Sequence, residues 1–454
     1  MKRWLILTVL ILLFFGTSFK YGFSQDDWYF LKLSNVQSTT SVLQFFSPWH
    51  QGEFPFYRPL STQFFYFVSV RLFGLGNAPY FMHSVIVIAQ ILSGYLVYRL
   101  SRTLGLSRLR ADLAAFVYVG GSLHFLSFYY IAAAQQLFAA MFGLATLLAA
   151  LRRKSFWLIG GLYILALLSK ESALLIPVYL FILSPWEHRF SKLIRSKLQY
   201  LTVPGILAVL YVLLRLIRGV MVQSEYHLKF GFENFSALKV CLSYFLGFFE
   251  RISDYSFAGG LSQFSIDTRP WGYFTVIGAV ILSLGLILGL VWRLSRRSLT
   301  PLLFRALAVM AVGIFPWIFL PDHIYPHYLD LASFGFALLV ASLWESLLVS
   351  FLLVSAALVS YFAGIRASVR LHWTVQRAVI SSHLLPRLEE RGLCEGGDVL
   401  IDGDPNLTKE ASYALSLSNA PAVICKNPSL HVYYQGSYQE EPIARRIILT
   451  EEDR

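Results

Sequence analysis

The sequence predicts an α-helical polytopic membrane protein with a small α/β domain at its C-terminal end, and three observations carry the prediction. Of its 454 residues 56% are apolar and only 14% charged, with a mean hydropathy of +0.58, which is more hydrophobic surface than a soluble globule can cover. The apolar runs are long enough for helices and lack the polar and apolar alternation of a transmembrane barrel. After Gly364 the character changes, and the last ninety residues carry ten Lys and Arg against twelve Asp and Glu.

The first apolar segment covers residues 4–19 behind Lys2-Arg3. Its length also suits the core of a signal peptide cut after Ser24, but Lys20, Tyr21 and Phe23 make a poor cleavage region, so it is read as a retained span. Either way Asp26-Asp27 emerges on the outside. Residues 32–60, rich in Ser, Gln, Pro and aromatics, are too polar to span and are read as an external loop with short interfacial helices. Residues 59–75 contain Gln63 and Arg71 and are placed along the interface, so the first external loop runs over 20–79.

Further spans are expected at 80–100, 111–128, 135–151, 156–169, 172–183, 198–217, 271–292, 302–320, 331–345 and 348–364, which with the first makes about eleven. The basic groups Arg99-Arg102-Arg108-Arg110, Arg152-Arg153-Lys154, Arg189-Lys192-Arg195-Lys197 and Arg293-Arg296-Arg297 then fall on alternate loops. Lys and Arg stay on the cytoplasmic side, which orients the chain. Of fourteen acidic residues up to 364 the same topology puts eleven outside, leaving only Asp112, Glu187 and Glu345 inside. Insertion hardly weighs acids, so this enrichment points to work on the outer face. The net charge of +12 reflects cytoplasmic loops beside anionic lipid and makes no case for nucleic acid.

The transmembrane domain is taken as 1–364 and the tail as 365–454, outside because the number of spans is odd. Strand-like runs in the tail lie at 398–401, 422–425, 430–434 and 447–449, with a helical stretch at 406–417. Gly396-Gly397 precedes a strand and does not join strand to helix, so it is no nucleotide loop. Cys394 and Cys425 flank the βαβ-like stretch in an oxidising compartment and are predicted to form a disulfide, with Cα atoms within about 7 Å. Cys241, in an apolar run, is read as a small buried hydrophobe.

The candidate chemistry centres on Asp26-Asp27, because adjacent carboxylates near hydrocarbon are costly and persist where they bind or catalyse. The plainer alternative is that both sit in water beside a headgroup-anchoring Trp28-Tyr29 pair. With them on the outer face fall Tyr57-Arg58-Pro59, His124, Lys170-Glu171, Asp322-His323 and His327-Tyr328. Singly these have plain explanations, such as an arginine snorkelling to lipid phosphate or a Lys-Glu pair capping two helices. Together they put carboxylates, cations and imidazoles on one leaflet.

In their order and position relative to the spans, Asp26-Asp27-Trp28, Tyr57-Arg58-Pro59-Leu60, Leu123-His124, Ser169-Lys170-Glu171, Ser253-Asp254-Tyr255 and His327-Tyr328-Leu329 leading into Ser333-Phe334-Gly335 resemble the GT-C superfamily of membrane glycosyltransferases. The likeness is to its protein O-mannosyltransferase-like branch, which includes the transmembrane and tetratricopeptide-repeat O-mannosyltransferases and their bacterial relatives, and it covers nearly all of the first 345 residues. The chain departs from that pattern in two places: the last motif usually begins with Arg where His327 stands, and the α/β tail replaces the repeat array.

The resemblance implies a first-loop acid at an external active site and a sugar donor carried on polyprenyl phosphate. A lipid-linked donor holds its phosphate at headgroup level, so the site needs cations there and a carboxylate to take the acceptor's hydroxyl proton. Arg58, Lys170 and His327 are the phosphate candidates, with His124, Glu171 and Tyr328 as further substrate-binding candidates. Transfer would proceed in line with inversion, one aspartate acting as base, with Asp27 preferred of the two. The second aspartate orients the acceptor or binds a divalent cation, and no ligand set in the sequence compels a metal. The expected partners are the lipid donor, a glycan, lipid or protein acceptor, and the membrane, which is taken as a bacterial inner membrane. The rival readings are a secondary transporter or lipid-sugar flippase, which calls for charged or broken helices near mid-membrane, and a scaffold that leaves the carboxylate pair unexplained.

Overall fold

The computed structural model describes residues 2–34, 39–47, 49, 56–184, 190–217, 227–249, 269–435, 445–450 and 453. Helices make up most of it: α1 Lys2–Phe15, α2 Asp26–Leu33, α3 Thr39–Gln44, α4 Phe65–Thr103, α5 Arg108–Gly120, α6 Phe125–Tyr129, α7 Ala134–Leu151, α8 Phe156–Ser169, α9 Ile176–Leu183, α10 Phe190–Ile217, α11 Glu233–Phe245, α12 Arg269–Ser295, α13 Pro301–Ile318, α14 Asp330–Ser342, α15 Leu347–Leu371 and α16 Trp373–Glu390. The tail continues with β1 Val399–Asp402, α17 Pro405–Ala414, α18 Asn419–Ile424, β2 Val432–Tyr434 and β3 Arg445–Ile448. Among the described residues seven helical stretches are long and apolar enough to cross a membrane, and three shorter apolar helices accompany them. This is the pattern of a multi-pass membrane protein.

The loops between helices gather at two ends. At one end Arg152 donates to Thr103 Oγ1 at 3.3 Å, Arg110 donates to the Glu345 carbonyl at 2.6 Å, and Arg293 Nη1 pairs with Glu345 Oε1 at 2.9 Å. Helices that start here open on side-chain caps: Ser107, Ser155, Thr300 and Ser346 each accept a backbone N–H three residues on, which satisfies one of the orphan donors of a first turn. At the opposite end α7, α9 and α14 start without a side-chain cap, each entered through a 3-10 turn, at Ile131–Ala133, Glu171–Leu175 and Pro326–Leu329. Those turns carry most of the candidate chemistry.

Several segments depart from the expected spans, each for a local reason. Helix α4 runs on from a π-helical turn at Leu60–Phe64, so 59–75 is helical, but it breaks at Gly74 (φ 73°, ψ 163°), a setting open to a residue without a β-carbon. The expected span 111–128 falls inside Arg108–Tyr129, one of the seven stretches, but its regular helix is interrupted after Gly120 by short turns, which places His124 in a buried 3-10 turn. The expected span 331–345 is the 13-residue α14, buried along its whole length; an all-apolar helix reads alike whether lipid or protein surrounds it. It packs closely on α13, since a β-carbon on Gly335 would lie 2.6 Å from the Ala306 carbonyl oxygen and one on Gly313 would lie 2.6 Å from Ala332 Cβ. Small residues at such crossings let helices approach. Ser253-Asp254-Tyr255 lies outside the described residues.

Helix α15 continues through Gly364 to Leu371, and α16 leads into the tail. There the three strands are parallel in the order β2-β1-β3, with Leu400 opposite Tyr433 and Arg446. Asp404 caps α17 by accepting from Asn406 and Leu407 N–H. The expected strand at 422–425 is instead the end of α18, where Pro421 sits near the helix start, a position proline tolerates. A four-residue apolar run does not reveal its own period. Cys394 and Cys425 are disulfide-bonded with Cα atoms 5.1 Å apart, and Cys241 is free and buried.

Candidate active site

The two neighbouring aspartates part company at the start of α2. Asp27 turns inward and is 1% exposed. Its Oδ2 accepts the Ser24 backbone N–H at 3.0 Å and its Oδ1 accepts the hydroxyl of Tyr66, itself fully buried, at 2.5 Å. Burial pushes the Asp27 carboxyl up to about 7, against the lowering effect of the bonds from Tyr66 and Ser24 and with a smaller push from the charge of Asp26. Asp26 stays exposed, and its backbone N–H donates to Tyr130 Oη at 3.2 Å. Trp28 is buried and its indole donates to Ser381 Oγ at 3.0 Å, so it is a packing residue and no headgroup anchor.

A second group gathers around the turn between α8 and α9. Arg58, just before the π-helical turn, forks onto Glu171: Nε donates to Oε2 at 2.7 Å and Nη2 to Oε1, while Nη1 donates to Gln135 Oε1 at 2.9 Å. The guanidinium lies 4.1 Å over the Phe56 ring. Planar, bidentate pairing of this kind fixes orientation as well as charge. Lys170, 6% exposed, brings Nζ to 4.4 Å over the Tyr328 ring; among the described residues it has no ion pair within 4 Å. Burial lowers its ammonium to about 7, the Arg58 charge acts in the same sense, and Glu171 and Asp330 oppose them.

Tyr328 links this lysine to the loop before α14. Its ring stacks on Trp317 at 4.3 Å, and its hydroxyl meets His323 Nε2 at 2.8 Å. His327 is buried beside it, and among the described residues its Nδ1 has no hydrogen-bond partner. Burial, and then the charges of Lys170, His323 and Arg58, hold its imidazole well below the usual value. At neutral pH it is therefore a neutral donor or acceptor and not the cation expected of it. His124 lies deeper, where Nδ1 comes 3.0 Å from Asp330 Oδ1 and Nε2 meets the Tyr118 carbonyl at 2.8 Å, all side chains fully buried. The His124 and Asp330 atoms sit at ion-pair distance without the alignment of a hydrogen bond.

The eight expected residues thus form two groups at one end of the bundle, Asp26-Asp27 and Arg58-Glu171-Lys170-His327-Tyr328, with His124 beneath the second. They are bridged by the Ile131–Ala133 turn, which packs against α2, and by the first turn of α7, which supplies the Gln135 contact to Arg58. No direct bond joins the groups among the described residues. Tyr66, Gln135 and Asp330 were not anticipated, although an acid opening an apolar helix three residues after His327 was a readable sign for Asp330. Among the described residues no three His, Cys, Asp or Glu side chains gather as a metal site. A groove of about 380 Å³ lined by Leu10, Phe14, Trp271, Phe274, Leu358 and Phe362 is wholly apolar and lies on the flank of α1, α12 and α15, away from this chemistry.

The arrangement can receive an anion and accept a proton. Lys170 supplies positive charge with no carboxylate in contact among the described residues, and three uncapped helix starts turn backbone N–H groups toward the same end. The chain matches no family model, no curated protein and no solved structure.

Proposed function

We propose that this chain is a membrane glycosyltransferase that moves a sugar from a polyprenyl-phosphate donor to an acceptor hydroxyl on the outer face of the membrane. The observation that carries the reading is the pairing, at one end of an apolar helical bundle, of an aspartate pair with a buried lysine that has no carboxylate within 4 Å among the described residues. The donor phosphate lies against Lys170, with Tyr328 and neutral His327 beside it and Arg58 oriented by Glu171. The acceptor hydroxyl loses its proton to a carboxylate as its oxygen attacks the anomeric carbon, and the bond from that carbon to the phosphate oxygen breaks. Polyprenyl phosphate leaves with the bonding electron pair, stabilised by the cation.

We take Asp26, in place of Asp27, as the base. A general base must come within about 3 Å of the proton it takes, and Asp26 is the solvent-exposed member of the pair, whereas Asp27 is buried with both oxygens bonded inside. Asp27 then sets the position of its neighbour. A transporter needs ionisable groups near the middle of the bundle; here they occupy turns at helix ends. The test is turnover by the purified full-length chain in nanodiscs, supplied with radiolabelled polyprenyl-phosphate sugars and membrane extract as acceptor source. Transfer or slow hydrolysis lost on Asp26→Asn supports the reading, and absence of both with every donor class overturns it.

A further inference from the structure

The residue immediately before the aspartate pair is the strained one. Gln25 has φ 54° and ψ −124°, a setting that glycine occupies freely and a β-carbon resists, and such strain persists only where the surroundings over-determine it. Here the surroundings are the C-terminal domain. The Gln25 backbone N–H donates to the Ala414 carbonyl, at the end of α17, at 2.8 Å. Its Oε1 accepts from Arg377 Nη1 at 3.0 Å. Arg377 in turn donates from Nε to Glu410 Oε2 at 2.8 Å and lies 4.3 Å over the Tyr413 ring and 4.9 Å over that of Trp373. One turn along α2, the bond from Trp28 to Ser381 ties the same helix to α16.

We propose that Arg377 is a positioning residue which clamps Gln25 in its left-handed conformation and so aims Asp26 and Asp27, making the C-terminal domain an integral part of the active site. Released from the clamp, Gln25 relaxes to negative φ, and the rotation swings the first turn of α2. Asp27 then leaves the donors that hold it, Tyr66 from α4 and the backbone N–H of Ser24, and water reaches its carboxylate. The other titratable groups facing this turn are Asp26 on the same helix and Tyr130, which bonds Asp26. The functional meaning of the clamp rests on the glycosyl-transfer reading, while its geometry can be tested apart from it.

The experiment reads Asp27 directly. Full-length protein in nanodiscs is titrated across a pH series by infrared difference spectroscopy of the protonated-carboxyl C=O stretch, which needs no reagent to reach the buried side chain, and Asp27→Asn assigns the band. The expected midpoint in the parent chain is near neutrality, as burial dictates. Arg377→Ala should lower it by about one pH unit or more toward the ordinary carboxylate range, and adding Gln25→Gly should restore at least half of the shift, because glycine holds the conformation without the clamp. Arg377→Lys should fall between. An unmoved midpoint in Arg377→Ala, or no recovery with Gln25→Gly, overturns the proposal and leaves Arg377 as a stabiliser of the tail alone. Should Arg377→Ala not fold, Glu410→Gln and Tyr413→Ala weaken the same clamp and are read the same way. A midpoint that moves as expected in a protein that transfers no sugar sinks the enzymatic reading and keeps the clamp; normal transfer with an unmoved midpoint does the reverse.

Discussion

Tyr66 donates its hydroxyl to Asp27 Oδ1 at 2.5 Å, which ties the start of α2 to α4 and separates two chemically identical neighbours into an inner and an outer carboxylate. If the outer one is the base, Asp26→Asn keeps shape but removes the proton acceptor, and transfer should fall about a hundred- to ten-thousand-fold. Asp27→Asn should cost less, with the loss falling on turnover more than on donor affinity. Equal losses in both variants, measured as kcat and KM for the donor, would return the base assignment to the pair as a unit.

Asp27 also predicts an unusual pH dependence of stability. Its folded value, near 7, lies above the ordinary 3.8, so between these values the folded state holds the proton more tightly than the unfolded chain. That contribution is present below about 4 and is lost as pH rises to about 7. Asparagine carries no such charge, so Asp27→Asn should raise the thermal midpoint above pH about 7, with the advantage shrinking toward pH about 4. Melting curves of both proteins across that range check it, and a variant less stable at every pH refutes it.

Lys170 has the opposite linkage. Its ammonium is lowered from 10.5 to about 7, so the folded state binds fewer protons between those values, and stability contributed by this group rises with pH across that window. Anion binding favours the protonated form. Affinity for a non-hydrolysable phosphodiester donor analogue, whose own charge is constant, should therefore weaken by up to about tenfold per pH unit above pH about 7. Lys170→Met should bind weakly with a flat profile. Calorimetric titrations give the slope, and a parent protein with no slope would remove Lys170 from the phosphate site.

Much of this was legible in the sequence. Alternating basic clusters put Lys170-Glu171 on the same end as Asp26-Asp27, because loop charge follows topology, and the structure brings those turns together. The span at 331–345 was not legible as a buried central helix, since Leu, Ala, Phe and Val satisfy lipid and protein interior equally. Nor was the difference between Asp26 and Asp27, which arises from Tyr66 and from a strained Gln25 held by residues some 350 positions away in sequence. The plainer alternative, in which both carboxylates sit in water, fails for Asp27 because Tyr66, from another helix, and the Ser24 backbone N–H hold it inside. Arg58 is a phosphate candidate from the sequence, and only the fold reveals that Glu171 grips it.

That grip makes the next prediction. The Arg58 side chain is 10% exposed and that of Glu171 30%, so breaking the pair from one side leaves a charge partly buried. Glu171→Gln and Arg58→Ala should each destabilise the protein by about 3 kcal/mol, the low end for a buried pair because water reaches Glu171. The double variant should lose clearly less than the sum, since the two share one interaction. Denaturation of all four proteins in detergent closes the cycle, and strict additivity would show that the pair contributes no coupling.

The last prediction fixes which end faces out. The turn carrying Lys170-Glu171 and the loop carrying Asp322 lie at one end, and Ser155, which caps α8, lies at the other. Ser172 is a poor reporter of the first end because it is buried and bonds Gln136 at 3.0 Å. The Asp322 side chain is 66% exposed and Ser155 is exposed, so both can be labelled in the folded protein. On the rule that Lys and Arg stay inside, the Ser155 end is expected to face the cytoplasm. In a background lacking the free Cys241, cysteine at Asp322 should react with an impermeant maleimide added to intact spheroplasts, and cysteine at Ser155 only after lysis. The reverse pattern would carry Asp26, Lys170 and the disulfide-bonded tail to the cytoplasmic side, where reducing conditions oppose a Cys394–Cys425 bond, and the outer-face reading of the whole site would fall with it.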